Sequence, residues 1–352
     1  NQLFKVIQYP LISITRIYCI YLLTSLVLAL LVYLAHRRRE PSDGERPTGF
    51  FRVLFPRQVW GHPSAWLDVR YFFFHQMIRL VIYGAFLSAV LNFTYQLMAF
   101  EPSNDASAGS QTEFTFAGVL LASLYMFAFV ALIDLAAYGV HYLQHKIPFL
   151  WEFHKAHHSA EVMHPLTNYR EHPFDNIFYA LATGAVIGFT SGMSKNLLGY
   201  VPNMPAILGL PLLVLLFNVL GYNLRHSHIW LRWPGHWSKL FASPAHHQVH
   251  HSYHPEHVNK NFAFIFPWWD VLFGTYCVPE TNKDVKFGVG ENYQQEFNSC
   301  LGIYFVPIKN ACSKSFGHRA VESSPASDLP LEQQPDQRLA AQLDQPNSHG
   351  GG

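Results

Sequence analysis

The chain has 352 residues; half are hydrophobic, 13% are charged, and the formal net charge is +1. A charged share near half the usual one excludes a typical soluble enzyme, and the lack of a basic field excludes a nucleic-acid partner. The outlying count is histidine: 21 residues, 16 of them from His141 to His257.

Crossing a bilayer takes about 20 mostly apolar residues. The first such run, residues 17–35, is uncharged and is followed by His36, Arg37, Arg38 and Arg39. It reads as an anchor rather than a cleaved leader. Residues 80–100 and 114–133 form the second and third runs. A fourth, 176–194, is weakened by Gly, Thr and Ser. The fifth, 196–223, contains Pro202, Pro205 and Pro211, which predict a bent or late entry; the fourth and fifth together also fit one helical hairpin. Residues 262–278 are apolar and aromatic but hold Pro267 and Asp270, so they are expected at the membrane surface, with Trp268 and Trp269 in the interface. From Ser313 the composition turns to Ser, Pro, Gln, Asp and Gly, which predicts a disordered tail.

Charge bias sets the expected orientation. Seven arginines lie from Arg37 to Arg70, and ten Lys or Arg residues follow Asn223. The loop at 101–113 has none and is acidic. The positive-inside rule then places every histidine cluster on the cytoplasmic side. The expected fold class is all-α: an integral-membrane helical bundle of about four to five transmembrane helices under a cytoplasmic histidine-rich cap. The expected division is 1–133 (membrane helices and an Arg-rich loop), 134–279 (the histidine-rich domain), 280–312 (a C-terminal extension) and 313–352 (the tail).

Three histidine clusters carry the chemistry. His141 and His145 are four apart and share one helix face. His154, His157 and His158 form a His-x-x-His-His pattern that is also expected to converge on one face. His247, His250 and His251 repeat it, with His246 in front. His226 and His228 are two apart, so at most one of them faces the same site as the others. So many imidazoles imply two metal ions, and imidazole suits zinc, copper, iron and nickel. The four cysteines form no CxxC pair, which argues against an iron–sulfur site. Asp134 lies seven residues before His141 on the same helix face, where a carboxylate is expected to hold a ligand imidazole. His172 sits in a polar loop and is weighed equally as a supporting or an ordinary loop residue. His246 is expected to pack beside the site. His62 and His75 read as interfacial polar residues.

These motifs resemble the fatty acid hydroxylase/sterol desaturase superfamily over residues 134–279. The resemblance rests on Asp134, Tyr138, His141 and His145; on His154, His157, His158 and Ser159; on His226 and Ser227; and on Ser243, Pro244, His246, His247, His250 and His251. It continues through Asn261 and Phe262 to Trp269, Asp270, Phe273, Gly274 and Thr275. It implies a di-iron membrane oxygenase with two Fe2+ ions, O2 as co-substrate and a membrane lipid substrate. The implied iron ligands are His141, His145, His154, His157, His158, His226, His247, His250 and His251. Trp230 stands where some members have a further histidine, which leaves His228 as a rival to His226. The chain shows no redox domain of its own, so an external electron donor is expected, a ferredoxin or cytochrome with its reductase. The competing reading is a membrane zinc transporter or metal-binding protein, although transporters place their ligands near the midplane. A dizinc hydrolase is weaker: it needs a carboxylate base, for which Glu152, Glu161 and Glu171 are available. Sterol, fatty acyl, sphingoid, ether-lipid and carotenoid substrates, and hydroxylation and desaturation, are alike at this level.

Overall fold

The computed structural model describes residues 6–38, 49–79, 84–98 and 115–316. The acidic loop at 101–113, residues 39–48 of the Arg-rich segment, and residues 317–352 of the expected tail lie outside them. Among the described residues, three helices are long and apolar enough to cross a membrane: α1 (Cys19–Arg38), α4 (Phe116–Lys146) and α6 (Pro173–Leu198). Helix α2 (Pro63–Ile78) lies between α1 and the 15-residue α3 (Gly84–Met98), which is the described part of the second apolar run.

Helix α4 has 31 residues and is therefore about 46 Å long. A hydrocarbon core is about 30 Å thick, so α4 has several turns to spare, and its last two carry His141 and His145. Pro148 follows at once. It cannot continue the helix, and Ile147 before it takes an extended conformation (φ −96°, ψ 114°). The chain turns there and restarts as α5 (Pro148–His158), which lays the first His-x-x-His-His against the end of α4. Helix α6 then begins at Pro173, capped by His172 Nδ1, which accepts from Phe174 N.

The fifth apolar run is not a membrane-crossing helix. Gly199 ends α6 in the left-handed region (φ 79°). The strands Ala206–Ile207 (β1) and Leu210–Pro211 (β2) then pair as an antiparallel hairpin, with Leu208 and Gly209 both at positive φ. Helix α7 (Leu212–Val219) has eight residues, about 12 Å of rise. The prolines and Gly199 split the run into short pieces. Residues 262–278 likewise hold only the five-residue α9 (Trp268–Leu272), with Val271, Leu272 and Phe273 exposed.

Helices α3 and α6 pack closely along each other. A Cβ at Gly184 would stand 2.7 Å from the Leu91 carbonyl oxygen and 2.9 Å from Thr94 Cβ, so only glycine permits this approach. Gly184→Val is expected to force the pair apart and cost about 1–3 kcal/mol, read as a lower unfolding midpoint in detergent. An unchanged midpoint would contradict this packing.

The last helix among the described residues, α10 (Cys300–Phe316), packs on α5 and α2 around Leu67, Tyr71, Ala156, Phe297 and Ile303. It runs four residues past the expected start of the tail. His75 is not interfacial: it is buried, stacks on Tyr71 and meets the Tyr304 hydroxyl at 2.8 Å.

Candidate metal centre

The second His-x-x-His-His sits on α8 (Pro244–His250) and its C-cap His251. Ser243 and His246 form a reciprocal cap at the start of α8, so His246 serves the helix end. Helices α4, α5 and α8 and the turn after Tyr222–Leu224 converge. Together they bring all nine histidines of the sequence-based set into two buried groups.

The first group is His141, His145, His154, His158 and His250; the second is His157, His226, His247 and His251. In each, candidate ligand nitrogens lie within 4.8 Å of one another. Each His-x-x-His-His is therefore divided. On α5 the i,i+4 pair His154 and His158 serves the first group and His157 the second. On α8 the roles reverse: His247 and His251 serve the second and His250 the first. Successive helical residues are about 100° apart, so His157 and His158 project in different directions and feed neighbouring centres. His158 and His251, one from each group, stack with ring centroids 4.5 Å apart.

Backbone carbonyls orient several rings. Nδ1 of His141 donates to Phe262 O at 2.9 Å, that of His250 to Lys260 O at 2.8 Å, and that of His157 to Arg170 O at 3.1 Å. With the proton on Nδ1, the Nε2 lone pair faces inward. His226 Nε2 points into the second group, whereas His228 Nε2 donates to Val53 O at 2.7 Å. That separates the two rivals geometrically. His247 is the exception among these contacts. Its Nδ1 lies 3.0 Å from Arg225 Nη2, and a guanidinium only donates. The neutral His247 ring then carries its proton on Nε2, and binding an ion there requires that proton to leave.

The donors fit cations. Nε2 of His145, His154, His158 and His250 is buried without a hydrogen-bond partner. In the second group His247 Nε2 lies 3.0 Å from Nε2 of both His226 and His251. Burial lowers His154 and His157 to about 3, and it holds His158, His226, His247, His250 and His251 well below the ordinary histidine value. Neutral imidazoles whose nitrogens converge on one another in this way are a metal-binding set, and such a set suits iron, zinc or copper.

The acids lie around this set. Asp134 does not hold an imidazole: its oxygens accept from Ile265 N and Phe266 N, both at 2.9 Å. Asp270 accepts from Phe262 N at 2.8 Å, Ala263 N at 3.0 Å and Thr275 Oγ1 at 2.7 Å. Together they clamp the loop whose Phe262 carbonyl orients His141. Asn261, at φ 56°, makes the turn into that loop, a conformation asparagine tolerates. Glu152 is buried against Lys155 and Lys314, and Glu171 pairs with Arg16. Two of the three acids weighed as a hydrolytic base are thus engaged in ion pairs. Sequence reasoning missed Asp175, 3.6 Å from His154 Nδ1, and Arg225, which lies among Phe217, Tyr222 and Phe264. The available signal was an ionisable residue beside a histidine motif in an apolar chain.

The fatty acid hydroxylase family model matches residues 126–275. Alkylglycerol monooxygenase of Danio rerio is 28% identical over 153 residues, 43% of this chain and 30% of that protein. Delta(7)-sterol 5(6)-desaturase of Aspergillus fumigatus is 27% identical over 161 residues, 44% of this chain and 49% of the relative. Human cholesterol 25-hydroxylase is 31% identical over 158 residues, 41% and 48% of the two chains. The chain thus spans between about a third and a half of these relatives. No solved structure matches.

Proposed function

We propose that this protein is a membrane-bound non-haem di-iron oxygenase that hydroxylates or desaturates a C–H bond of a membrane lipid. The carrying observation is the pair of buried histidine groups, whose inward nitrogens form a donor set for two ions. The names of the relatives, a monooxygenase, a desaturase and a hydroxylase, support oxidation as the reaction class. When bound, the iron pair supplies reduction of O2 and removal of hydrogen from an unactivated C–H bond.

The chain's own residues do the rest. Nine histidines hold the ions, the first group with five donors and the second with four. The carbonyls of Lys260, Phe262 and Arg170 fix the ring directions. Phe262, fully buried and packed on His141, His145 and His250, keeps water from the first group. The exposed apolar flanks of α4 and α6 face the bilayer and give an insoluble substrate a route to the site. Electrons come from an external ferredoxin or cytochrome with its reductase, docking on the histidine side, for which the charge bias of the sequence supports a cytoplasmic location.

The test is metal content together with product. Protein purified without added metal is expected to hold two irons per chain. With a reductase-coupled donor and O2, it is expected to add one oxygen to a lipid or remove two hydrogens from it. Alkylglycerols and cholesterol, from the relatives' names, are the first substrates to try. Stoichiometric zinc, with no O2-dependent product after iron loading, would overturn the proposal.

A further inference from the structure

We infer that Asp68 is a positioning residue for the second histidine group, acting through Arg170 to set the direction of the His157 imidazole. This rests on the two-metal reading above. Asp68 lies on α2, outside the matched domain at 126–275. It is 1% exposed, and its carboxylate meets the loop between α5 and α6. Oδ1 accepts from Arg170 Nε at 2.6 Å, Oδ2 accepts from Thr167 Oγ1 at 2.7 Å, and His164 Nε2 lies 3.2 Å from Oδ2.

Arg170 is also buried, and it uses its remaining donors to tie the loop to its own start and to α2. Nη1 reaches Ser159 Oγ at 3.3 Å, just past α5, and Nη2 reaches Ser64 O at 3.2 Å on α2. A buried guanidinium needs its carboxylate, because removing one partner leaves an uncompensated charge. With the side chain tied at three places, the Arg170 backbone is held with its carbonyl on His157 Nδ1, 3.1 Å away. That hydrogen bond puts the proton on Nδ1 and turns Nε2 toward His226, 3.3 Å off.

The relay is selective. The carbonyls that orient the first group, Lys260 O and Phe262 O, belong to a different loop, clamped by Asp134 and Asp270. Disturbing Asp68 therefore loosens His157 and leaves His141 and His250 as they are. A merely structural role for Asp68 would weaken both groups alike.

The test uses the full chain in detergent, stripped of metal and titrated with cobalt(II) alone. Visible absorption and metal analysis report each ion. Wild type is expected to take two cobalt ions. Asp68→Asn is expected to keep one at wild-type affinity and bind the other at least about 10-fold more weakly, the usual effect of losing an orienting partner. Thr167→Val, which removes the hydrogen bond to Asp68 and the one accepted from His164 N but leaves the Asp68–Arg170 ion pair, is expected to weaken the same ion by a smaller factor. Two ions at wild-type affinity in Asp68→Asn, or equal weakening of both, would overturn the relay. If Asp68→Asn does not fold, the same results in Thr167→Val decide. Wild type that takes fewer than two cobalt ions would instead overturn the two-metal reading, and the relay with it.

Discussion

His158→Ala and His251→Ala are each expected to abolish lipid oxidation, and each is expected to remove a different ion. His158 belongs to the first group and His251 to the second, although their rings stack. Loss of an orienting partner alone costs about 10- to 100-fold in metal affinity or activity, so loss of a ligand is expected to exceed 100-fold. Metal content is expected to fall toward one ion per chain in both variants. His228→Ala is expected to keep both ions, because His228 bonds to Val53 O rather than facing the centre. His236, which is exposed, provides the matched control. Metal analysis and product formation on the same preparations check this. Full activity in His158→Ala or His251→Ala would remove the ligand assignment, and full activity in both would remove the two-metal reading.

The spacing of the histidines shows which residues can meet, because i,i+4 pairs share a helix face whatever surrounds them. It does not show that each His-x-x-His-His serves two centres. That division depends on where the partner helix sits, and α8 reaches α5 only through long-range packing. The same limit applies to Asp134. Its helix face is legible from its distance to His141, but its partners are the amides of Ile265 and Phe266, 131 and 132 residues away. His75 looks interfacial by composition; its burial comes from Tyr304 on α10. The apolar run at 196–223 is long enough to cross a membrane, and its prolines and Gly199 carry the warning that it does not form one continuous helix. Composition reports membrane affinity, whereas backbone chemistry decides whether a helix is continuous.

Asp270→Ala is expected to be the most damaging change outside the ligands, and its damage is expected to fall on the first group. The carboxylate satisfies three donors, Phe262 N, Ala263 N and Thr275 Oγ1. A buried donor left without a partner costs about 1–3 kcal/mol, so the variant is expected to lose about 3 kcal/mol or more of stability. The loop so released carries Phe262 O and, two residues earlier, Lys260 O, which orient His141 and His250. The ion of the first group is therefore expected to bind about 10- to 100-fold more weakly, while that of the second is retained, the reverse of the pattern expected for Asp68→Asn. Asp270→Asn keeps the shape but turns an amide N–H₂ toward a backbone N–H, so an intermediate loss is expected. Cobalt titration and thermal unfolding of the same two variants separate the effects. The two clamps act on different loops and share no hydrogen bond, so the Asp68→Asn and Asp270→Asn losses in metal affinity are expected to add in the double variant. A strongly non-additive double variant would mean that the two groups form one coupled centre whose ligands cannot be loosened separately.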